Sequence, residues 1–163
     1  MVYQLYRLNH YWKHQPKDPV SYIIMTHLYV EHAVNFLIYK KCKNQKKILE
    51  DHRTWTFSVK LDLLNEMNIL YPGLYEDIRV LNRLRNEVSH TLDVNYKTIK
   101  NLHMHFAEDG VPAVDLGTMF KDGQDDEKIR TVIFQIGNNC IIKINTIALL
   151  LTKDSKIDDP PQE

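Results

Sequence analysis

The sequence predicts an all-α protein, a helical bundle of four to five helices interrupted by one irregular or short β-hairpin insertion. Three observations carry that prediction. Apolar residues recur at spacings of three and four along most of the chain, which is the signature of helices with one buried face. Proline and glycine punctuate the boundaries, at Pro16, Pro19 and Pro72-Gly73. Alternation with period two is confined to Leu102-His103-Met104-His105-Phe106, inside a region that also holds Gly110, Pro112, Gly117 and Gly123. A single domain is expected over residues 1–153, with 93–126 as the insertion or loop region and 154–163, ending in DDPPQE, as a flexible C-terminal tail.

Each element follows from its own pattern. Residues 2–14 predict a short helix packing Leu5, Tyr6, Leu8, Tyr11 and Trp12 before Pro16 and Pro19 end it. A stronger helix is expected from about Val20 to Lys41, with Ile24, Leu28, Val34 and Ile38 on its core face. Glu31 falls in the middle of that face, with His27 and Asn35 close beside it. A lone buried carboxylate is costly, so a basic or hydrogen-bonding partner is required, and Arg85 is the expected one. Residues 40–53 are the most basic stretch, read as a helix end and a loop. There Lys46, Lys47 and Arg53 are candidate contacts to an RNA backbone, set against the plainer reading of a solvated, dipole-complementing helix end.

Residues 54–73 predict a third helix through Trp55, Phe57, Leu61, Leu64 and Leu70. Lys60 lies one position before a core residue and either snorkels to solvent or reaches toward the polar side of the next helix. That next helix, residues 74–92, has Ile78, Leu81, Leu84, Val88 and Leu92 as its apolar stripe. The last helix follows Asp125-Asp126-Glu127 and carries its stripe from Ile129 to Leu151, acids at the N-terminus suiting the dipole.

Composition narrows the functional classes. At 44% hydrophobic residues the 163-residue chain can bury a proper core. With 21 basic and 21 acidic side chains the formal charge is zero, so no overall field attracts nucleic acid and any RNA site must be local. Cys42 and Cys140 stand apart, without a CxxC or zinc-type partners, as small core residues of a reduced, cytoplasmic protein. The N-terminus lacks a signal-peptide apolar segment and no apolar run approaches bilayer length, so no membrane association is expected. His103 and His105 have no further ligands at metal-binding spacing, and no cofactor is expected.

The most informative stretch is the helix of residues 74–92. At about 100° per residue, Arg85 borders the apolar stripe, and Ser89, Asn82, Asn86 and His90 continue from it as one polar sector. Glu76, Arg79, Arg83 and Glu87 form the usual mixed-charge solvated face elsewhere, so the Arg/Asn/Ser/His sector is a second polar surface. Histidine moves protons near neutrality and arginine forks onto phosphate oxygens. Together they suit metal-free cleavage of RNA, in which the ribose 2'-OH attacks and an Arg offsets charge on the phosphorane. The alternative is an Arg that pairs with a structural carboxylate.

The segments YVEHAVNFLI (29–38), FSVKLDLLNEMNIL (57–70) and LNRLRNEVSH (81–90) together resemble the HEPN superfamily of small helical domains, over roughly residues 20–92. The motif of that superfamily, an Arg, a polar residue and a His after four to six intervening residues, is matched by Arg85, Asn86 and His90. The combination is similar to the mannitol-operon-repressor-like branch and to toxin-type members. The resemblance implies a metal-independent endoribonuclease of a toxin-antitoxin or phage-defence system, working as a homodimer that joins two motifs, with an antitoxin or regulatory protein as a further partner. By the same resemblance Arg85 binds the scissile phosphate, His90 transfers protons, Asn86 orients the pair, and Glu31, Lys60 and Ser89 support them. Where a nucleotidyltransferase-paired subgroup has Tyr two residues after the His, this chain has Leu92, which speaks against that form of regulation. Other members of the superfamily are non-catalytic regulatory or protein-interaction modules, the second function class the resemblance allows.

Overall fold

A computed structural model describes residues 16–92, 94, 103–104, 114–115 and 126–154. Among these residues the chain forms an all-α bundle with five helices: α1 (Pro19–Lys41), α2 (Gln45–Glu50), α3 (Phe57–Glu66), α4 (Pro72–Thr91) and α5 (Asp126–Asp154). Between α4 and α5, His103–Met104 (β1) and Val114–Asp115 (β2) pair antiparallel, His103 opposite Asp115. The expected hairpin therefore exists, as two residues on each side. The expected helix over 2–14 and the tail after 154 lie outside the described residues.

Local chemistry sets each helix end. Asp18 caps α1, its Oδ1 accepting from the Ser21 N–H at 2.8 Å with Pro19 at the first helical position. That hydrogen bond holds the Asp18 carboxyl below its ordinary range. Lys40 and Lys41 close the helix, where positive charge faces the free carbonyls. Thr56 caps α3, and Asn68 ends it at φ 54°, with the Ile69 N–H returning to the Leu64 carbonyl. Asparagine tolerates this left-handed conformation better than most residues. Pro72, which reads in the sequence as a break before residue 74, is the first residue inside α4. It fits because the first turn needs no N–H from it.

The expected third helix over 54–73 is shorter, ending at Glu66. The basic stretch, expected as loop, includes the single-turn-and-a-half α2, whose Ile48 packs into the core. The larger correction concerns α1. Its buried residues are Tyr22, Ile23, Thr26, His27, Val30, Ala33, Val34, Leu37 and Ile38, while Leu28 is 57% exposed. The core face is turned about 90° from the expected one, at roughly 100° per residue. Of the expected face, Val34 and Ile38 are fully buried and Ile24 packs partly buried against the core, so Leu28 is the misplaced member; Thr26 and His27 are polar yet inside, which a stripe traced through apolar letters alone passes over. Glu31 consequently sits at the edge of the buried face, not at its middle. In α4, Ile78, Leu81, Leu84 and Val88 are buried as expected, but Leu92 is 78% exposed and caps the helix at φ 54°.

The relative directions of the helices follow from four contacts. His27 of α1 meets Phe57 of α3 and Asn82 of α4, and Asn35 of α1 meets Lys60 of α3. Tyr75 of α4 donates to Asp62 of α3 at 2.7 Å. Thus α3 runs parallel to α1, and α4 runs antiparallel to both. The Asn139 Nδ2 of α5 donates to the buried Asp77 Oδ2 of α4 at 3.2 Å, and Lys143 lies over the Tyr71 ring, so α5 is antiparallel to α4. The core is formed where α1 lies along α5, with α4 beside both. Contrary to the expectation that no apolar run reaches bilayer length, Asp126–Leu151 is long and apolar enough to cross a membrane by length and composition, and 44% of its most apolar window is buried inside the bundle.

The revised α1 face is directly testable. Leu37→Ala, at a fully buried position, is expected to cost about 2–5 kcal/mol in urea unfolding, while Leu28→Ala should change stability by no more than roughly 0.5 kcal/mol. The reverse order would place the core on the other side of the helix.

Candidate functional site

The polar sector of α4 forms because its residues fall between two packed faces. Ile78, Leu81, Leu84 and Val88 turn into the core, and the next residues around the helix, Arg85, Ser89 and Asn82, lie along the seam with α1. Arg85 is half-buried and Asn86, Ser89 and His90 are exposed. The Arg85 Nη1 donates to the Asn86 Oδ1 at 2.9 Å, so these two neighbours act as one unit. Ser89 spends its hydroxyl on the Arg85 carbonyl at 2.7 Å, a bond back along the helix. His90 stands in the last turn of α4.

The sequence-predicted residues are only partly assembled. Arg85 and His90, five residues apart, are separated by about 140° around the helix and roughly 7.5 Å along it. Within one chain they point to adjoining surfaces, not to one point. Glu31 and Arg85 do not form the expected pair. The ion contact of Glu31 is with His27, its Oε2 lying 3.8 Å from Nδ1, and among the described residues the Arg85 guanidinium has no carboxylate within salt-bridge distance. Lys60 takes neither of the two expected paths. It is 2% exposed, and its Nζ donates to the Asn35 Oδ1 of α1 at 3.1 Å. Its stem fills core space between α3 and α1 while the amide satisfies the ammonium.

A residue that sequence reasoning noted only as an interruption, His27, lies at the base of this seam. It is 1% exposed, its ring edge-on to Phe57 with centroids 4.6 Å apart, and its Nε2 is 3.0 Å from the Asn82 Oδ1. Burial, reinforced by the positive charge of Arg85 and opposed by the hydrogen bond to Asn82, lowers its pKa from 6.5 to about 4. A period search that allowed polar letters inside the stripe would have found it, since Ile23, His27, Val30, Val34 and Leu37 share one face.

Lys46 and Lys47 sit elsewhere. With Lys43, Asn44, Gln45 and Glu50 they line a surface depression of about 600 Å³, and Arg53 is exposed nearby in the chain. From His27 to Lys40 is about 20 Å along α1, and from Asn82 to His90 is about 12 Å along α4, in the opposite direction because the two helices are antiparallel. The basic stretch and His90 are therefore at opposite ends of the bundle, roughly 30 Å apart. Cys140 is buried, its thiol pushed up by burial and by the Asp77 charge, while Cys42 is half-buried. No cluster of three His, Cys, Asp or Glu side chains suited to a metal occurs among the described residues.

Comparison with protein-family models, with curated proteins and with solved structures finds no match to this chain.

The lowered proton affinity of His27 sets a sign for stability. Between pH 6.5 and 4 the unfolded chain binds a proton that the folded chain refuses, so stability falls as pH drops through that window. The expected loss from pH 6.5 to 4.5 is roughly 2 kcal/mol in urea titrations, and His27→Gln should remove most of it. An unchanged pH slope in that variant would mean that the ring is not the group responsible.

Proposed function

We propose that this chain is a metal-independent endoribonuclease that cleaves single-stranded RNA through 2'-OH attack. The observation that carries this reading is the state of Arg85: a guanidinium at the edge of the core whose hydrogen bond is to neutral Asn86 and which, among the described residues, has no carboxylate within salt-bridge distance. A structural arginine in this position is normally paired, whereas an uncompensated one suits a phosphate. Asn86 orients the fork, and the exposed His90 is the proton-transfer group. In this reading Lys46, Lys47 and Arg53 hold the RNA backbone away from the scissile bond.

Cleavage by this route needs a base to take the 2'-OH proton and an acid for the leaving oxygen. One exposed histidine does not serve both in a single step, so a homodimer that joins two Arg85/His90 motifs completes the site. The divergence of Arg85 and His90 around α4 supports the same arrangement, since the guanidinium of one protomer and the imidazole of its partner can meet where those of one chain do not. This agrees with the HEPN resemblance of residues 29–90, which also motivates a toxin-antitoxin or phage-defence setting and a cytoplasmic location. A non-catalytic HEPN-like regulatory module is the second reading; the exposed Leu92 beside His90 is the surface that favours it, through protein contact.

The test is cleavage of a single-stranded RNA in excess EDTA. Wild-type protein should leave 2',3'-cyclic phosphate ends, and His90→Ala should lose at least about a hundredfold in rate while melting normally. Undiminished cutting by that variant would eliminate the assignment. Arg85→Ala should lose comparable activity at a stability change within roughly 1 kcal/mol, because the side chain bridges no buried charge. Light scattering at micromolar concentration should report a dimer, and a monomer there would leave the site without its second imidazole.

A further inference from the structure

His27 is a buried titratable group that the proposed chemistry does not use. It lies in the seam where α1, α3 and α4 meet, and its two nitrogens face different partners. Nε2 is 3.0 Å from the Asn82 Oδ1, a proper hydrogen bond. Nδ1 has no hydrogen-bond partner, and the nearest acid, Glu31, is 3.8 Å from it, beyond hydrogen-bond reach. Facing a carbonyl oxygen, Nε2 carries the proton and Nδ1 keeps a lone pair, so the ring is neutral in this tautomer. Arg85, one turn beyond Asn82 on the same side of α4, lies close enough for its charge to oppose protonation of the ring.

We infer that His27 is a positioning residue for Arg85: an uncharged imidazole inside the bundle that anchors Asn82 and thereby fixes, one turn on, where the guanidinium stands at the α1–α4 seam. The inference rests on the ribonuclease reading for its effect on rate, but not for the anchoring itself. The role asks for a donor at Nε2 and for neutrality. A glutamine meets both, because its side-chain amide offers an N–H at a similar reach and never ionises. A leucine fills similar space and offers no donor. A cation in its place would compete with Arg85 for the same anion and bring two like charges together in a poorly solvated seam.

The experiment compares His27→Gln, His27→Leu and Asn82→Ala by cleavage kinetics and by NMR. His27→Gln is expected to keep kcat within about threefold of wild type. His27→Leu and Asn82→Ala should each lower kcat about tenfold or more with KM little changed, since a displaced cation near the phosphate costs rate more than ground-state binding. The double variant should be no worse than either single one, as for two residues acting through one bond. Nitrogen NMR of the wild-type imidazole at pH 7 should show Nε2 protonated, and the Arg85 Nε–H resonance should move in His27→Leu and Asn82→Ala but not in His27→Gln. Equal losses in His27→Gln and His27→Leu, with both folded, would overturn the positioning role. So would an unmoved Arg85 resonance in Asn82→Ala, measured on protein whose amide spectrum shows it folded. If wild-type protein cuts no RNA, the ribonuclease reading fails, and the NMR arm still decides whether His27 anchors Arg85.

Discussion

The rest of the molecule depends on a polar seam that had to be accommodated inside an otherwise apolar bundle. His27 and Lys60 are both almost wholly out of water, each at a contact between α1 and another helix. Burying either without a partner would cost several kcal/mol, and each has a hydrogen bond to one asparagine amide oxygen supplied by a different helix. Asn82 reaches from α4 to His27, and Asn35 reaches from α1 to Lys60. These directional bonds fix where α3 and α4 sit along α1, which apolar packing alone specifies loosely.

Charge links the seam to the proposed chemistry. A neutral imidazole below Arg85, and a glutamate that stays partly in solvent instead of pairing with it, leave the guanidinium beside Asn86 with no counter-charge among the described residues. The like-signed Lys60 is directed to the far side of Glu31, toward Asn35. Had Glu31 closed onto Arg85, the arrangement would be a structural ion pair of modest net worth and no use to an anion. The geometry also separates two positive regions: the Arg85 end of α4, and the lysine-rich turn around α2 at the opposite end of the bundle. An RNA contacting both would run along the length of one protomer.

Much of this was legible in the letters. The apolar spacing of α4 located Ile78, Leu81, Leu84 and Val88 correctly, and the same count isolated Arg85, Asn86, Ser89 and His90 as a distinct sector. The period-two alternation near His103 marked the strand pairing found among the described residues. The α1 face was misread because Thr26 and His27 are buried polar residues, and a stripe traced only through apolar letters slid around the helix to Leu28. Nothing local distinguishes a buried histidine from an exposed one; the distinction comes from Phe57 and Asn82, far away in the chain.

What the sequence by itself determined is the helical class, the approximate extent of α1, α4 and α5, and the side of α4 on which the chemistry-bearing residues fall, since all of these follow from helical periodicity and end signals acting over a few residues. Only the tertiary structure decided which polar groups meet. Glu31 turning to His27, Lys60 reaching Asn35, Arg85 keeping to Asn86, and the basic turn lying far from His90 each depend on how whole helices are placed. That placement is set by packing and desolvation between segments dozens of residues apart, which no local pattern encodes.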